Sequence, residues 1–315
     1  MSSPKLDSPL ATPRAEVDLS LERVGALLTE QHPDLAHLDL AALDAGWDNA
    51  LFTLSDPAGD DGPTLLLRLP RRAVAARLIE HEQRWLPQLA PHLPIPVPAP
   101  LRTGTPGRGY PWRWSVLPWL EGNAADLEPP ATDQADVLAD FLAALHQPAP
   151  AQAPRNAFRG VPLAARQAVV EERLERLREH TADVTEAVLE AWRAGLQAPV
   201  ARDERWVHGD LHARNVLVRH GRIRAVIDWG DLCCGDPATD LAAVWMLLDD
   251  PAARRRAIAR YGAAPPGTWR RAAAWAASFG SVLLETGLAD NLRHARMGQD
   301  TLRRLGEEPF IGELD

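Results

Sequence analysis

The run His208-Gly209-Asp210-Leu211-His212-Ala213-Arg214-Asn215 places a carboxylate and an amide five positions apart. Thirteen residues after Asn215, Asp228 closes the apolar stretch Ala225-Val226-Ile227. A carboxylate can orient an attacking hydroxyl and accept its proton late. An amide oxygen and a second carboxylate suit magnesium carried on a nucleotide's phosphates. Asp210 is therefore the candidate catalytic residue, Asn215 and Asp228 are the candidate metal ligands, and ATP or GTP with Mg2+ are the implied cofactors. A lone loop aspartate is more often a turn or cap residue. The companion amide, and the acid beyond the following hairpin, weigh against that reading here.

His208 and His212 stand four apart, a zinc-binding spacing when both share a helix face with a third ligand. Gly209 and the strand-like flanks argue against a helix, so His208 is expected to brace the loop backbone. A metal-dependent hydrolase built on His208, Asp210 and His212 is the competing expectation. Downstream, Asp236-Pro237 and Asp240 precede Leu241-Ala242-Ala243-Val244-Trp245, which reads as a helix start where an acid caps backbone N–H groups. Asp240 is expected to be structural, anchoring the loop. Asp231 either faces the substrate or is an exposed solubilising acid.

These residues need a frame. Residues 1–16 are polar and Pro-containing and read as a flexible tail. Asp18 is placed to cap a helix through Leu21, Val24, Leu27 and Leu28 that stops before Pro33. Leu51-Phe52-Thr53-Leu54 and Leu65-Leu66-Leu67-Arg68-Leu69 flank a turn-rich segment and predict a hairpin. The spacing of Ala75, Leu78, Ile79, Trp85, Leu86 and Leu89 predicts a helix over 73–89. Glu82 falls on that apolar stripe and needs either a cationic partner or a route to solvent; Arg68 is the candidate partner. A Pro-rich connector over 91–100 leads to a strand at 112–117. Helical patterning then covers 133–146, 163–180 and 184–196, and resumes after Asp240, with a hairpin through His220-Gly221 in between. The change of texture near Gly122 predicts an N-terminal lobe over 17–120, with a hinge at about 116–121, and a helical C-terminal lobe over 121–315.

A formal charge of −9 argues against a nucleic-acid binder, which usually shows a basic face. The two cysteines, Cys233 and Cys234, are adjacent and cannot make a disulfide framework, so small, partly buried residues are expected. The amino terminus lacks a signal peptide's apolar core, and no apolar run approaches the ~20 residues of a membrane helix. A cytoplasmic protein without a membrane partner is expected.

Three segments together, His208 to Asn215, Ile227-Asp228-Trp229 and Gly235-Asp236-Pro237-Ala238-Thr239-Asp240-Leu241-Ala242, resemble the aminoglycoside phosphotransferase family. These are small-molecule kinases of the protein-kinase-like superfamily. Gly46-Trp47-Asp48-Asn49 resembles the family's nucleotide loop and 114–122 its hinge, so the likeness covers about 17–290. The resemblance implies an α+β, bilobal protein-kinase-like fold, with a small antiparallel-sheet N-lobe and a larger, mainly helical C-lobe. It makes Asp210 the catalytic aspartate, Asn215 and Asp228 the magnesium ligands, Arg68 the phosphate-contacting cation and Glu82 its helix partner. It also places Asn49 at the nucleotide. The chain departs from the family in having Arg68 where Lys is frequent, and a single glycine in 46–49. In the implied hinge Pro118 has no N–H, so its C=O is the acceptor for the base and Leu120 N–H the donor.

The implied acceptor is a hydroxyl on a small molecule. An aminoglycoside-type cationic antibiotic is the first expectation, with a macrolide or an endogenous metabolite as the alternative. Asp231 and Glu285, with Glu171, Glu172 and Glu175, are the acids nominated to meet a cation. A dozen residues between Asp228 and Asp240 leave little room for an activation segment, which disfavours a protein kinase. A non-catalytic, pseudokinase-like nucleotide binder remains as a further alternative. The intact Asp210, Asn215 and Asp228 speak against it. No oligomeric state is implied.

Overall fold

Along Asn49–Ser55, Ala50, Phe52 and Leu54 are buried and the residues between them less so, the period-2 pattern of a strand with one face on a core. In the computed structural model, which describes residues 14–46, 48–59 and 62–307, that strand belongs to the first of two compact units. This unit runs to Pro91 and adds 97–120. Its elements are α1 (Leu21–Gln31), β1 (Asp39–Ala45), β2 (Asn49–Ser55), β3 (Pro63–Pro70), α2 (Ala73–Leu89), β4 (Arg102–Gly104) and β5 (Trp114–Pro118). The strands form one antiparallel sheet in the order β1-β2-β3-β5-β4. The expected hairpin is β2–β3. β1 and β4 carry little strand signal, since neither contains a run of β-branched or aromatic residues.

Register decides what each face does. Leu67 lies opposite Phe52 and Val116, so these side chains share a core with Leu54, Leu69, Trp114, Tyr110 and the α1 residues Val24, Leu27 and Leu28. Arg68 lies opposite Leu51 and Ser115 and points to the other face. Two expectations about the amino-terminal region are corrected. The α1 cap is Ser20, whose hydroxyl accepts from Arg23 N–H, and Asp18 instead accepts from Ser20 N–H at 2.9 Å. Residues 1–13 lie outside the described residues, but the end of the expected tail is tied down. Glu16 N–H donates to Arg71 O at 2.9 Å, and its carboxylate accepts from Ala73 N–H at 2.9 Å, supplying the anion that the start of α2 otherwise lacks.

The second unit comprises 92–96 and the chain from Glu121 onward. Val226 N–H donates to Pro96 O at 3.1 Å, so part of the Pro-rich connector packs here. Its elements are β6 (Asn123–Ala124), α3 (Ala135–Leu145), α4 (Gln167–His180), α5 (Glu186–Gln197), β7 (Arg205–Val207), β8 (Val216–Arg219), β9 (Arg222–Val226), β10 (Cys233–Gly235), α6 (Ala238–Leu241), α7 (Ala243–Leu247), α8 (Pro251–Tyr261), α9 (Thr268–Asp290) and α10 (Leu292–Gly306). The strands pair antiparallel as β6-β8-β9 and β10-β7. His220 and Gly221, with φ of 54° and 71°, make the primed turn that joins β8 to β9. By length and composition α9 could cross a bilayer, which the sequence reading missed. Yet 72% of its most apolar window is buried, and it packs against α4, α5, α6, α7 and α10 as the unit's central helix. Cys233 and Cys234 are buried free thiols on β10.

Candidate active site

β7 enters, and β8 leaves, a loop whose backbone is pinned from beneath. Asp240 is fully buried, and its two carboxylate oxygens accept from His208 N–H at 2.6 Å and Gly209 N–H at 2.8 Å. It does not cap the helix it sits in. Asp236, two residues before that helix, accepts from Ala238 N–H at 3.0 Å while Arg271 Nε donates to it at 2.6 Å. Gly209 has φ +88°, and a Cβ there would come 2.7 Å from Asp231 O, so the loop needs glycine at this point.

The histidines are part of this scaffold. Asp210 N–H donates to His208 Nδ1 at 3.2 Å, which makes Nδ1 an acceptor and leaves Nε2–H to donate to Ile227 O at 3.0 Å. His212 Nδ1 accepts from Arg214 N–H at 3.2 Å, and its Nε2 lies 3.3 Å from Asp210 Oδ2. All four ring nitrogens are thus engaged within the loop and its neighbour. Among the described residues no group of three or more His, Cys, Asp or Glu could hold a metal ion. The zinc-hydrolase expectation loses its donors.

Asp210 and Asn215 are brought together directly. Asn215 is buried, and its Nδ2 donates to Asp210 O at 2.8 Å, with Asp210 Oδ2 at 3.4 Å. Engaging the nitrogen turns Oδ1 the other way. Ile227 N–H donates to Asn215 O at 2.8 Å, so Ile227 is tied to Asn215 on one side and His208 on the other. Asp228 leaves that fixed point exposed and in the left-handed region, φ 61°, a conformation costly for a non-glycine residue and common at functional sites. A neutral amide oxygen and a carboxylate are the hard donors that magnesium accepts, so the pair fits that ion chemically. Burial pushes the Asp210 carboxyl up, but His212 and Arg159 outweigh it and keep the group well below the usual carboxylate range.

Sequence reasoning missed Arg159. Its Nη2 donates to Asp210 Oδ1 at 2.9 Å, and its Nε lies 3.6 Å from Asp231 Oδ2. The signal available was a turn-rich Asn156-Ala157-Phe158-Arg159-Gly160 in the stretch between two expected helices. Asp231 is half-buried rather than a free surface acid. It accepts from Asn156 Nδ2 at 2.7 Å, and burial raises its carboxyl more than Arg159 lowers it. Glu285, nominated for a cationic substrate, accepts from Arg173 Nε at 3.0 Å and Arg176 Nη2 at 2.8 Å. Glu172 pairs with Arg176, Glu171 accepts from Gln167, and Glu175 is exposed.

In the first unit Arg68 Nη1 donates to the buried Glu82 at 3.1 Å, which accounts for an acid on the apolar stripe of α2. With its amide turned so that both ends are satisfied, Asn49 accepts from Arg68 Nη2 at 3.0 Å and Nε at 3.1 Å. The rigid fork of Arg serves both partners at once, which an ammonium would do less well. Trp47 lies outside the described residues. Around it, Asp48 pairs with Arg72 at 2.7 Å and Gly46 N–H donates to Asn49 O at 3.0 Å. Trp119 N–H donates to Thr64 O at 3.0 Å, so the main-chain groups of Pro118 and Leu120 point away from β3.

Residues 39–275 match the phosphotransferase enzyme family (APH). The uncharacterised protein YcbJ of Bacillus subtilis (strain 168) is 28% identical over 209 residues, 58% of this chain and 62% of that protein, so the match spans less than two thirds of its length. The GDP and kanamycin complex of APH(2")-IIia superposes with a TM-score of 0.60 at 16% identity, covering 91% of this chain and 99% of that one. The macrolide 2'-phosphotransferase MphH from Brachybacterium faecium, as apoenzyme, gives 0.57 at 24% identity, covering 90% and 97%. At such identities the likeness speaks for the fold, which is kinase-like and α+β. Since the family match takes in most of the chain, including Arg68, Asp210, Asn215, Asp228 and Asp240, the chain belongs to the phosphotransferase enzyme family.

Proposed function

We propose that this protein is a magnesium-dependent O-phosphotransferase that moves the γ-phosphoryl group of ATP or GTP to a hydroxyl of a small molecule. The observation that carries this reading is the locking of Asn215 to Asp210, with Asp228 fixed one residue beyond the backbone bond from Ile227 to Asn215. Asp210 orients the acceptor hydroxyl and takes its proton as the new P–O bond forms. Its lowered pKa makes it a weak base, which suits a transfer dominated by positioning and charge compensation. Asn215 Oδ1 and Asp228 hold Mg2+, which when bound supplies positive charge to the phosphate oxygens. Arg68, oriented by Glu82 and Asn49, contacts the phosphates, and Pro118 C=O with Leu120 N–H reads the base. His208 and Asp240 keep the loop in shape. A cytoplasmic setting, where nucleotide and magnesium are available, goes with this reading.

An aminoglycoside-type acceptor follows from the family. The engagement of Asp231 and Glu285 by the chain's own arginines weighs against a polycationic acceptor and favours, within the alternative, an endogenous metabolite such as a sugar. The test is nucleoside diphosphate release over a panel of aminoglycosides, macrolides and hydroxylated metabolites, with magnesium and with EDTA. Magnesium-dependent turnover of at least one compound is expected. Asp228→Ala should weaken magnesium-nucleotide binding by at least about tenfold, the scale of losing a metal-site group. Nucleotide binding without turnover of any compound would favour the pseudokinase-like alternative.

A further inference from the structure

A cation of the chain's own sits on the proposed catalytic carboxylate. Arg159 bridges Asp210 and Asp231, and its guanidinium carbon lies 4.8 Å from the centre of the Phe279 ring. The segment carrying it is stapled in place. Asn156 Oδ1 accepts from Phe158 N–H at 2.8 Å and Arg159 N–H at 3.2 Å, while Asn156 Nδ2 donates to Asp231. Gly160 O accepts from Asp236 N–H at 2.9 Å, and Gly160 N–H donates to Thr239 Oγ1 at 3.2 Å. The two backbones pack so closely that a Cβ on Gly235 would stand 2.5 Å from Gly160 Cα. A second guanidinium, Arg166, stacks 5.3 Å from the ring centre of Phe158, the neighbour of Arg159. Among the described residues Arg166 has no carboxylate within salt-bridge distance. Arg173, also nearby, is paired with Glu285.

We propose that Arg159 is a specificity-determining residue: backed by Arg166, it selects acceptors that carry no positive charge beside the reacting hydroxyl, and so excludes polyamine antibiotics. The inference rests on the phosphotransferase reading and narrows its substrate class. A polyamine that brought an ammonium to Asp210 or Asp231 would have to displace Arg159 or lie against it. Partial burial limits the screening that would soften such repulsion. Burial, with Arg159 and Arg173 close by, already pushes the Arg166 guanidinium down, so this corner disfavours further positive charge.

The test compares the wild type, Arg159→Gln and Arg159→Lys for binding of kanamycin and of its uncharged, fully N-acetylated derivative. Calorimetry is run with magnesium and a non-hydrolysable nucleotide analogue present, and circular dichroism checks the fold of each variant. Arg159→Gln should bind kanamycin at least about tenfold more tightly than either wild type or Arg159→Lys, the scale of removing one opposed charge. The affinity for the acetylated derivative should change by less than about threefold among the three proteins. A general loosening of the site would raise both ligands together, so the separation between them reports charge. Kanamycin binding by Arg159→Gln that is no tighter than by Arg159→Lys overturns the proposal, as does an equal gain for both ligands. Absence of magnesium-dependent analogue binding in the wild type would instead bring down the phosphotransferase reading, and this inference with it.

Discussion

Asp210 is pulled in opposite directions, by burial toward its protonated form and by His212 and Arg159 toward the carboxylate, and the charges win. The consequence for catalysis has a definite sign. A proton acceptor must be ionised, and a lowered pKa keeps it ionised on acidification, so Asp210 should impose no acid limb on kcat/KM within the usual carboxylate range. Removing the Arg159 guanidinium in Arg159→Gln raises the pKa. An acid limb should then appear at higher pH than in the wild type, measured as kcat/KM against pH with an accepted substrate. An identical profile in the variant would show that Arg159 does not tune this group. Asp210, Asn215 and Asp228 were proposed as a set because their spacing matches a single chemistry, and the structure joins Asn215 to Asp210. Arg159 was not, because its partner lies 51 positions away and no local pattern links the two. Glu82 was legible by contradiction: an acid on an apolar stripe demands a partner, and β3 provides Arg68.

At the scale of elements, the loop between β7 and β8 is held in shape by a carboxylate on α6. Asp240→Ala would leave two buried N–H groups, those of His208 and Gly209, without their acceptors, at about 1–3 kcal/mol for each. Urea unfolding should therefore show a loss of roughly 2–6 kcal/mol, with turnover falling further than nucleotide affinity because the loop carries Asp210. A variant as stable as the wild type would mean that the loop is organised by something other than Asp240. The sequence placed Asp240 at a helix start and anticipated an anchoring role. It left open which acid meets the helix start, because both acids stand within one turn and only the fold decides which carboxylate meets which N–H; Asp236 accepts from Ala238 N–H there. Helices α2 to α5 were readable from apolar periodicity. β1, short of β-branched residues, and β4, only three residues long, were not, since their pairing is set by the sheet rather than by local preference.

For the molecule as a whole, the residues of the proposed chemistry are divided between two units. The first contributes Arg68, Glu82, Asn49 and the Pro118 to Leu120 main chain, and the second contributes the catalytic loop and the metal ligands. The net charge of −9 was read only as weighing against a nucleic-acid partner. Around Asp210, however, arginines balance the acids, so the overall charge says little about the acceptor. The lobe boundary was read where short apolar runs give way to long helical ones near Gly122, and the fold class came with the family resemblance; acceptor class was not legible, because it depends on side chains that meet only in three dimensions. The central claim is tested most directly by Asp210→Asn, comparing nucleoside diphosphate release at saturating magnesium-nucleotide and acceptor. The predicted result is a fall in kcat of roughly 10²–10⁴-fold with nucleotide affinity nearly unchanged. An unchanged kcat would contradict the account.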